Sequence, residues 1–333
     1  MKKLNHKNAL SATVSMLMTL TVCSSVSQAS DIDIYSNATG GKTTIMLMLD
    51  TSGSMSESQV GGSACDLAPG TSYTRGNEPS GTTPGYTKYF CAVNIPGSNS
   101  QRKHYDRLTR LKDAIFTLMD SNQIDSSSVA MGIGQFSSQS GSDNVYTSPD
   151  GKSGKIVVPA ALLSTTQRTA IKTAVANLRG RGGTPTANAY AEVAAYMLGT
   201  NTSTASNLGY SGFSKSVLGS KVGSSSTATN YQTPLSTTNT QCNGQGIYFL
   251  TDGEPNSSPA PVPLMQAALG ANGSSFSVPA TGTLPNGTQA GHGMPAVGEF
   301  AKALRNQRAS STAPNRNPLG LEIKTAVVGF GSV

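Results

Sequence analysis

The amino-acid sequence predicts an α/β fold: a doubly wound, mostly parallel sheet flanked by helices, with long polar loop insertions. Two observations predict it. Apolar runs lead directly into Asp50 and Asp252, and they are apolar at consecutive positions, as in parallel strands buried on both faces. Segments with helical periodicity alternate with such runs along the chain. Only 12% of the residues are charged and 36 are glycine, which fits polar loops on a compact scaffold.

The first half of the chain contains three predicted strands and one predicted helix. Thr43–Leu49 predicts a buried strand, and the Gly-, Pro- and Ser-rich residues 56–100 predict a polar insertion. Arg102–Ser121 predicts a helix, because its apolar residues recur at helical spacing with charges on the other face. Val129–Phe136 predicts the next strand and Lys155–Pro159 a short one.

The middle of the chain predicts two helices joined by a tight turn. Thr166–Leu178 has helical periodicity, and Gly180–Gly183 follows as the turn. Pro185 stands where a second helix can begin before Ala187–Leu198. Residues 200–240 hold few large apolar side chains and show no period, so we expect a second insertion on the surface.

The last third returns to the strand-and-helix alternation. Gly246–Leu250 predicts a buried strand, a helix follows around Pro295–Arg305, and Glu322–Gly329 predicts a final strand. Because no helix is predicted after that strand, we expect the chain to be the N-terminal part of a longer protein. In such a sheet, functional residues lie in loops beyond the carboxyl ends of the strands, which is where both Asp50 and Asp252 fall.

The N-terminus has the order of a secretory signal. Lysines precede the uncharged stretch Ala9–Val26, and Ser27–Ala29 then offers small residues before a cleavage point. We therefore predict a signal peptide over residues 1–29, an exported protein, and a lead segment over 30–42. A membrane anchor is the alternative, but serine and threonine interrupt the stretch.

Charge and cysteine usage narrow the function further. The formal net charge of +7 loses three lysines and no acids with the signal peptide, leaving +4. Without a Lys/Arg run or an aromatic cluster, this net charge predicts no nucleic-acid partner.

Cys65 and Cys91 lie in the same polar insertion and are the candidate disulfide. Cys242 is then left over, either free or paired outside this chain.

Five oxygen-bearing side chains form the candidate metal site. Asp50, Ser52 and Ser54 are spaced two apart after a strand, with a glycine between the serines that permits a tight turn. Thr184 lies in a constrained Gly-Gly-Thr-Pro loop, and Asp252 ends the other strand. Hydroxyl and carboxylate oxygens favour Mg²⁺, Mn²⁺ or Ca²⁺ over zinc. The competing interpretation of the serines is an ordinary turn that caps a helix.

These residues resemble a known family. Asp50-Thr51-Ser52-Gly53-Ser54 matches the D-x-S-x-S motif of von Willebrand factor A (vWA) domains, while Gly183-Thr184-Pro185 and Thr251-Asp252-Gly253 resemble their second and third metal loops. The resemblance covers residues 43–333. It implies a metal-ion-dependent adhesion site, one coordination position of which stays open for a carboxylate from a partner. By that resemblance Ser52, Ser54 and Thr184 bind the cation directly, and Asp50 and Asp252 act mostly through water.

A narrower resemblance concerns the flanking segments. The signal peptide, Asp31–Tyr35, the cysteine-bearing loop, Tyr248–Asn256 and Val327–Gly331 together look like the N-terminal region of PilC/PilY-type type IV pilus tip proteins. That resemblance implies a bacterial cell surface, pilus tip or outer membrane location. Those proteins continue into a C-terminal β-propeller, to which nothing in this sequence corresponds.

The sequence does not predict an enzyme. There is no G-x-S-x-G motif, and the histidines are only His6, His104 and His292. We expect His104 at the start of the amphipathic helix and His292 in a glycine-flanked loop, both on the surface. Gly40–Thr43 ends like a phosphate loop, but Ser36 replaces its first glycine and a strand follows.

The sequence therefore predicts an adhesion and assembly module. It would bind an acidic side chain of a protein ligand (a host receptor, the extracellular matrix or a pilin) through a bound Mg²⁺. Two alternatives remain open at this point: a secreted metal-dependent hydrolase that uses the cation to activate water, and a mechanical domain of a surface fibre.

Overall fold

A computed structural model provides the structure of the chain. It describes residues 41–56, 64–138, 151–205, 208–224, 227–236, 243–252, 255–256, 258, 261–278 and 293–329. The predicted signal peptide, Asp31–Tyr35, Cys242 and His292 lie outside these residues. Among the residues it describes, no helix combines the length and apolarity needed to cross a bilayer.

Strands and helices alternate along the described chain. The strands are β1 (Thr43–Asp50), β2 (Thr74–Pro79), β3 (Thr87–Asn94), β4 (Gln101–Tyr105), β5 (Val129–Ser138), β6 (Ser153–Leu162), β7 (Gly244–Thr251) and β8 (Lys324–Gly329). The helices are α1 (Arg107–Asp120), α2 (Thr165–Ala176), α3 (Thr186–Leu198), α4 (Pro261–Ala268) and α5 (Met294–Leu304).

The central sheet confirms the predicted α/β architecture. Its five strands run in the order β6-β5-β1-β7-β8, and every pairing is parallel except that of β5 with β6. β1 is therefore the middle strand, and all eight of its residues are buried. Its position places the carboxyl ends of β1 and β7 side by side, because Leu49 pairs with Leu250.

Helices cover both faces of the sheet, as a doubly wound fold requires. On one face Ile45, Leu47 and Leu49 pack with apolar residues of α1 and α2. On the other face Met46 and Met48 pack with α3, α4 and α5. Successive strand residues point to opposite faces, so the unbroken apolar run of β1 fills two cores at once.

The first insertion corrects one prediction. Residues 56–100 are not a polar loop throughout: β2 and β3 lie within them and form, together with β4, a separate antiparallel sheet. The contacts within this sheet follow no hydrophobic period that the sequence would reveal. The rings of Phe90 and Tyr105 meet edge to face at 6.1 Å, and a Cβ on Gly76 would lie 2.4 Å from the Phe90 ring. The predicted disulfide is present and joins Cys65 to Cys91 of β3.

The start of the first helix is a second correction. We predicted a helix from Arg102, with His104 in its first turn, but His104 lies in β4 opposite Cys91. Helix α1 begins at Arg107 because Asp106 caps it: the Asp106 carboxylate accepts a hydrogen bond from the Thr109 N–H at 2.6 Å. The charged face attributed to the helix therefore belongs partly to a strand.

The second insertion is also not confined to the surface. Residues 208–236, where described, hold Phe213, Tyr231 and Leu235 in the core beside α3. Tyr231 contacts Glu192 of α3, which is fully buried. Its carboxylate accepts hydrogen bonds from the Tyr231 and Thr202 hydroxyls. A buried carboxylate needs such donors, and in this chain they come from the segment without a recognisable period.

Three further differences concern the sheet edge and the last helices. β6 is longer than predicted and antiparallel to its neighbour. Helix α4 was not predicted, and its eight residues bury Leu264 and Met265. α5 and β8 lie within a residue or two of the predicted segments, a normal spread for element ends.

Lys112 of α1 ties the two helices of one face together. Its ammonium group is buried and donates hydrogen bonds to the Ala176 and Leu178 carbonyls, both at 2.9 Å. The Ala176 carbonyl ends α2, and the Leu178 carbonyl lies two residues further on, directly before the Gly180 loop. Burial, with a smaller contribution from Arg179, lowers the pKa of Lys112 to about 7.

That shift predicts a pH dependence of stability. Between pH 7 and the ordinary lysine value of 10.5, the folded protein loses a proton that the unfolded chain keeps. The free energy of unfolding should therefore rise with pH, by up to about 1.4 kcal/mol per unit. Urea unfolding at pH 7, 8 and 9 should show this rise in the wild type and in Lys172→Met, but not in Lys112→Met. An equal slope in all three proteins would contradict it.

Candidate metal centre

The site begins where β1 ends. The Asp50 side chain is completely buried. Its Oδ1 accepts a hydrogen bond from the Ser52 N–H at 2.7 Å, and its Oδ2 accepts one from the Thr251 hydroxyl at 2.7 Å. Because Thr251 ends β7, one carboxylate joins the ends of two neighbouring parallel strands. This is the edge where a doubly wound sheet places its functional loops.

A chain of hydrogen bonds connects the serines to Asp252. The Ser52 and Ser54 hydroxyl oxygens are 3.1 Å apart, and the Ser54 hydroxyl donates to Asp252 Oδ1 at 2.9 Å. The short 3-10 turn Gly53–Met55 brings the second hydroxyl back beside the first. The structure thus brings together four of the five predicted site residues, namely Asp50, Ser52, Ser54 and Asp252.

The loop that carries Thr184 docks on the same turn. The Gly53 N–H donates to the Gly182 carbonyl at 2.9 Å, and the Arg181 N–H donates to the Thr51 carbonyl at 2.8 Å. A Cβ on Gly180 would lie 2.4 Å from the Ser56 Cβ, so only glycine permits this approach. Thr184, the fifth predicted residue, is buried and lies two residues after Gly182 in this docked loop.

Asn256 fixes the Thr184 backbone and was missed in the sequence. Its Oδ1 accepts a hydrogen bond from the Thr184 N–H at 2.8 Å, and its own N–H donates to the Thr184 carbonyl at 3.2 Å. Asparagine side chains hydrogen-bond backbone groups readily. Nothing in the sequence indicates that a polar residue four positions after Asp252 bonds to the backbone of Thr184.

Arg107 is the second residue that sequence reasoning missed. Its Nη1 donates to Asp252 Oδ2 and to the Ser54 carbonyl, each at 3.0 Å. The sequence does contain an indication that Arg107 has a distant partner. Arg107 and Arg110 occupy the first turn of α1, which has no acidic residue there. The helix dipole disfavours cations at that end, so two arginines in that position require partners elsewhere.

The electrostatics favour a positive charge at this edge. Burial first, and the neighbouring Asp252 charge second, raise the pKa of Asp50 to about 6, against the lowering effect of hydrogen bonds from Ser52 and Thr251. Two carboxylates in a buried place repel each other, and a cation between them removes that repulsion.

The donor set fits a hard cation. Two carboxylates and the hydroxyls of Ser52, Ser54 and Thr184 are oxygen ligands, which Mg²⁺, Mn²⁺ and Ca²⁺ prefer. In the described segments, no three His, Cys, Asp or Glu side chains are placed so that they could hold a metal ion together, so a cation at this edge would depend on hydroxyls. Because few charged ligands would bind it directly, such a cation would remain electrophilic.

Comparison with known proteins adds no relative: neither a family model nor a curated protein matches this chain.

Proposed function

We propose that the edge formed by Asp50, Ser52, Ser54, Thr184 and Asp252 binds a divalent cation, and that the protein uses the cation to hold an acidic side chain of a partner protein. The observation that supports this most is the hydrogen-bond chain from Ser52 through Ser54 to Asp252. It holds hard oxygen donors from distant parts of the sequence within bonding distance of one another.

The site belongs, in this proposal, to a vWA-type adhesion module. Support comes from the three motif matches in order, on a mostly parallel sheet with helices on both faces. Ser52, Ser54 and Thr184 would bind the cation directly, most simply Mg²⁺, with Mn²⁺ or Ca²⁺ as substitutes. Asp50 and Asp252 would hold its water ligands. When bound, the cation supplies an electrophilic position for a partner carboxylate.

The setting we propose is the bacterial surface. The basic, uncharged and small-residue order of residues 1–29 supports export, and the flanking segments support a type IV pilus tip or outer membrane protein. The ligand is then a host receptor, the extracellular matrix or a pilin. Ser52, Ser54 and Thr184 would bind the cation directly, and the Asn256 side chain fixes the backbone of Thr184.

Binding to a carboxylate tests the proposal. A peptide with one aspartate and its asparagine twin are immobilised, and the purified chain is passed over both with Mg²⁺ or with a chelator. We expect retention only on the aspartate peptide and only with Mg²⁺, because a basic chain that binds through charge alone gains nothing from the cation.

Two variants sharpen that test. Asp252→Ala should lose the Mg²⁺-dependent retention. Ser127→Ala is the matched control, because Ser127 also donates to an aspartate, Asp125, far from the site in sequence and on the exposed surface; it should bind as the wild type does. Equal retention with Mg²⁺ and chelator, or full retention by Asp252→Ala, would overturn the proposed function.

A further inference from the structure

One guanidinium group links the candidate metal centre to the disulfide-bonded insertion. Arg107 Nε donates to Asp66 Oδ1 at 2.7 Å, and its Nη2 lies 2.5 Å from the same oxygen. Its Nη1 lies 3.0 Å from Asp252 Oδ2. Arg107 thus bridges two carboxylates that are far apart in the sequence.

Burial makes this bridge more than a surface ion pair. The Asp252 side chain is fully inaccessible and that of Arg107 is only 13% exposed. Exposed ion pairs contribute little, whereas a buried carboxylate needs a counter-charge. Arg107 provides that charge to Asp252 while Ser54 satisfies the other carboxylate oxygen.

The other end of the bridge is held from three sides. Asp66 follows Cys65 of the disulfide, and Arg110 pairs with its second oxygen. Its φ of 48° lies in the left-handed region, which non-glycine residues seldom adopt. Such a conformation persists where surrounding contacts fix it. The insertion therefore presents one carboxylate to Arg107 in a defined position.

We propose that Arg107 is the resident counter-cation of the metal centre, and that it sets the affinity for the divalent ion under the control of Asp66. This inference rests on the proposed cation site. Arg107 and the ion compete for the charge of Asp252. Asp66 draws the guanidinium charge away from Asp252 and so favours the ion. Arg107 is a positioning residue here, since it acts on the ion through Asp252.

The first test is the affinity of the full chain for Mn²⁺ alone, measured by calorimetry and by the Mn²⁺ paramagnetic resonance signal. Arg107→Gln should bind Mn²⁺ about tenfold more tightly or better, because a positive charge on the same carboxylate is removed. Asp66→Asn should bind about threefold more weakly or worse, because the whole Arg107 charge then falls on Asp252.

A double variant tests whether Asp66 acts on the ion through Arg107. In the Arg107→Gln background, Asp66→Asn should change the affinity by less than about twofold, because the bridge is already gone. Arg110→Gln is the matched control: it removes an arginine paired with Asp66 and should change the affinity by less than about threefold. A structural role for Arg107 would not produce this pattern.

Thermal unfolding without metal shows whether a variant changes the stability of the fold or its affinity for the ion. In chelator, Arg107→Gln should unfold at a lower temperature than the wild type, and the rise in Tm on adding Mn²⁺ should be larger. If Arg107→Gln does not fold, the weaker binding of Asp66→Asn carries the test.

Three outcomes overturn the inference: unchanged or weaker binding in a folded Arg107→Gln, unchanged binding in Asp66→Asn, or equal tightening in Arg110→Gln. A wild type that binds no Mn²⁺ overturns the proposed function itself and with it this inference.

Discussion

Gly212→Ala is expected to lower the free energy of unfolding by about 3 kcal/mol or more, the upper range for overpacking a filled site. A Cβ on Gly212 would lie 1.6 Å from the Gly154 carbonyl oxygen. That oxygen belongs to the backbone of β6 and cannot rotate away. The Gly212 N–H also donates to Glu192 at 2.7 Å, so any shift of the loop removes a hydrogen bond from a buried carboxylate.

Urea unfolding of Gly212→Ala and of a matched glycine variant checks this. Gly209→Ala lies three residues earlier in the same insertion, and its Cβ would meet no atom within 4 Å. We expect its free energy of unfolding to stay within about 0.5 kcal/mol of the wild type. Similar effects in the two variants would mean that the second insertion is not seated between α3 and β6 as described.

Loss of the disulfide is expected to cost about 3 kcal/mol. Cys65 and Cys91 are separated by 26 positions, and closing a loop of that length restricts the unfolded chain by roughly this amount. Both cysteines are also buried. The double variant Cys65→Ser, Cys91→Ser should therefore unfold at lower urea concentration than the wild type.

Cys242→Ser is the control for that experiment, because it removes another cysteine and keeps the Cys65–Cys91 disulfide. The wild type treated with a reductant should approach the double variant. If neither the reductant nor the double variant changes the unfolding midpoint, the first insertion does not depend on the bond, and the cross-strand contacts of Phe90 and Tyr105 hold it alone.

The sequence predicted the central sheet well because its physical signal is local. β1 and β7 are apolar at consecutive positions, as expected of strands that are buried on both faces of a sheet. α2 and α3 begin within a residue or so of the predicted starts. The close approach of Asp50, Ser52, Ser54 and Asp252 was likewise predictable, because parallel strands bring their carboxyl ends to one edge.

The insertions were not predictable in the same way. The strand pairs of β2, β3 and β4 depend on partners chosen by the fold, and a strand of five residues such as Gln101–Tyr105 gives too short a pattern to distinguish it from a helix start. Tyr231 and Phe213 are single aromatic residues in polar surroundings. Tyr231 bonds to Glu192, 39 positions away, and Phe213 packs against the Tyr231 ring at 4.8 Å.

Arg107 shows the same limit at the site itself. Its position in the first turn of α1 conflicts with the helix dipole, and this could have marked it as a residue with a distant partner. Its partners could not be identified from the sequence, because Asp66 and Asp252 lie 41 and 145 positions away from it.

Calorimetric titration of the purified chain with Mg²⁺, repeated with Mn²⁺ and Ca²⁺, shows whether the edge at Asp50 and Asp252 binds a divalent cation. We expect one site per chain, loss of binding in Ser54→Ala and Asp252→Asn, and unchanged binding in Ser127→Ala. At a hundredfold excess over Kd, the bound ion should add about 2.7 kcal/mol to the free energy of unfolding. No heat of binding for any of the three ions, or equal binding in Ser54→Ala and the wild type, would show that this edge of the sheet is not a cation site.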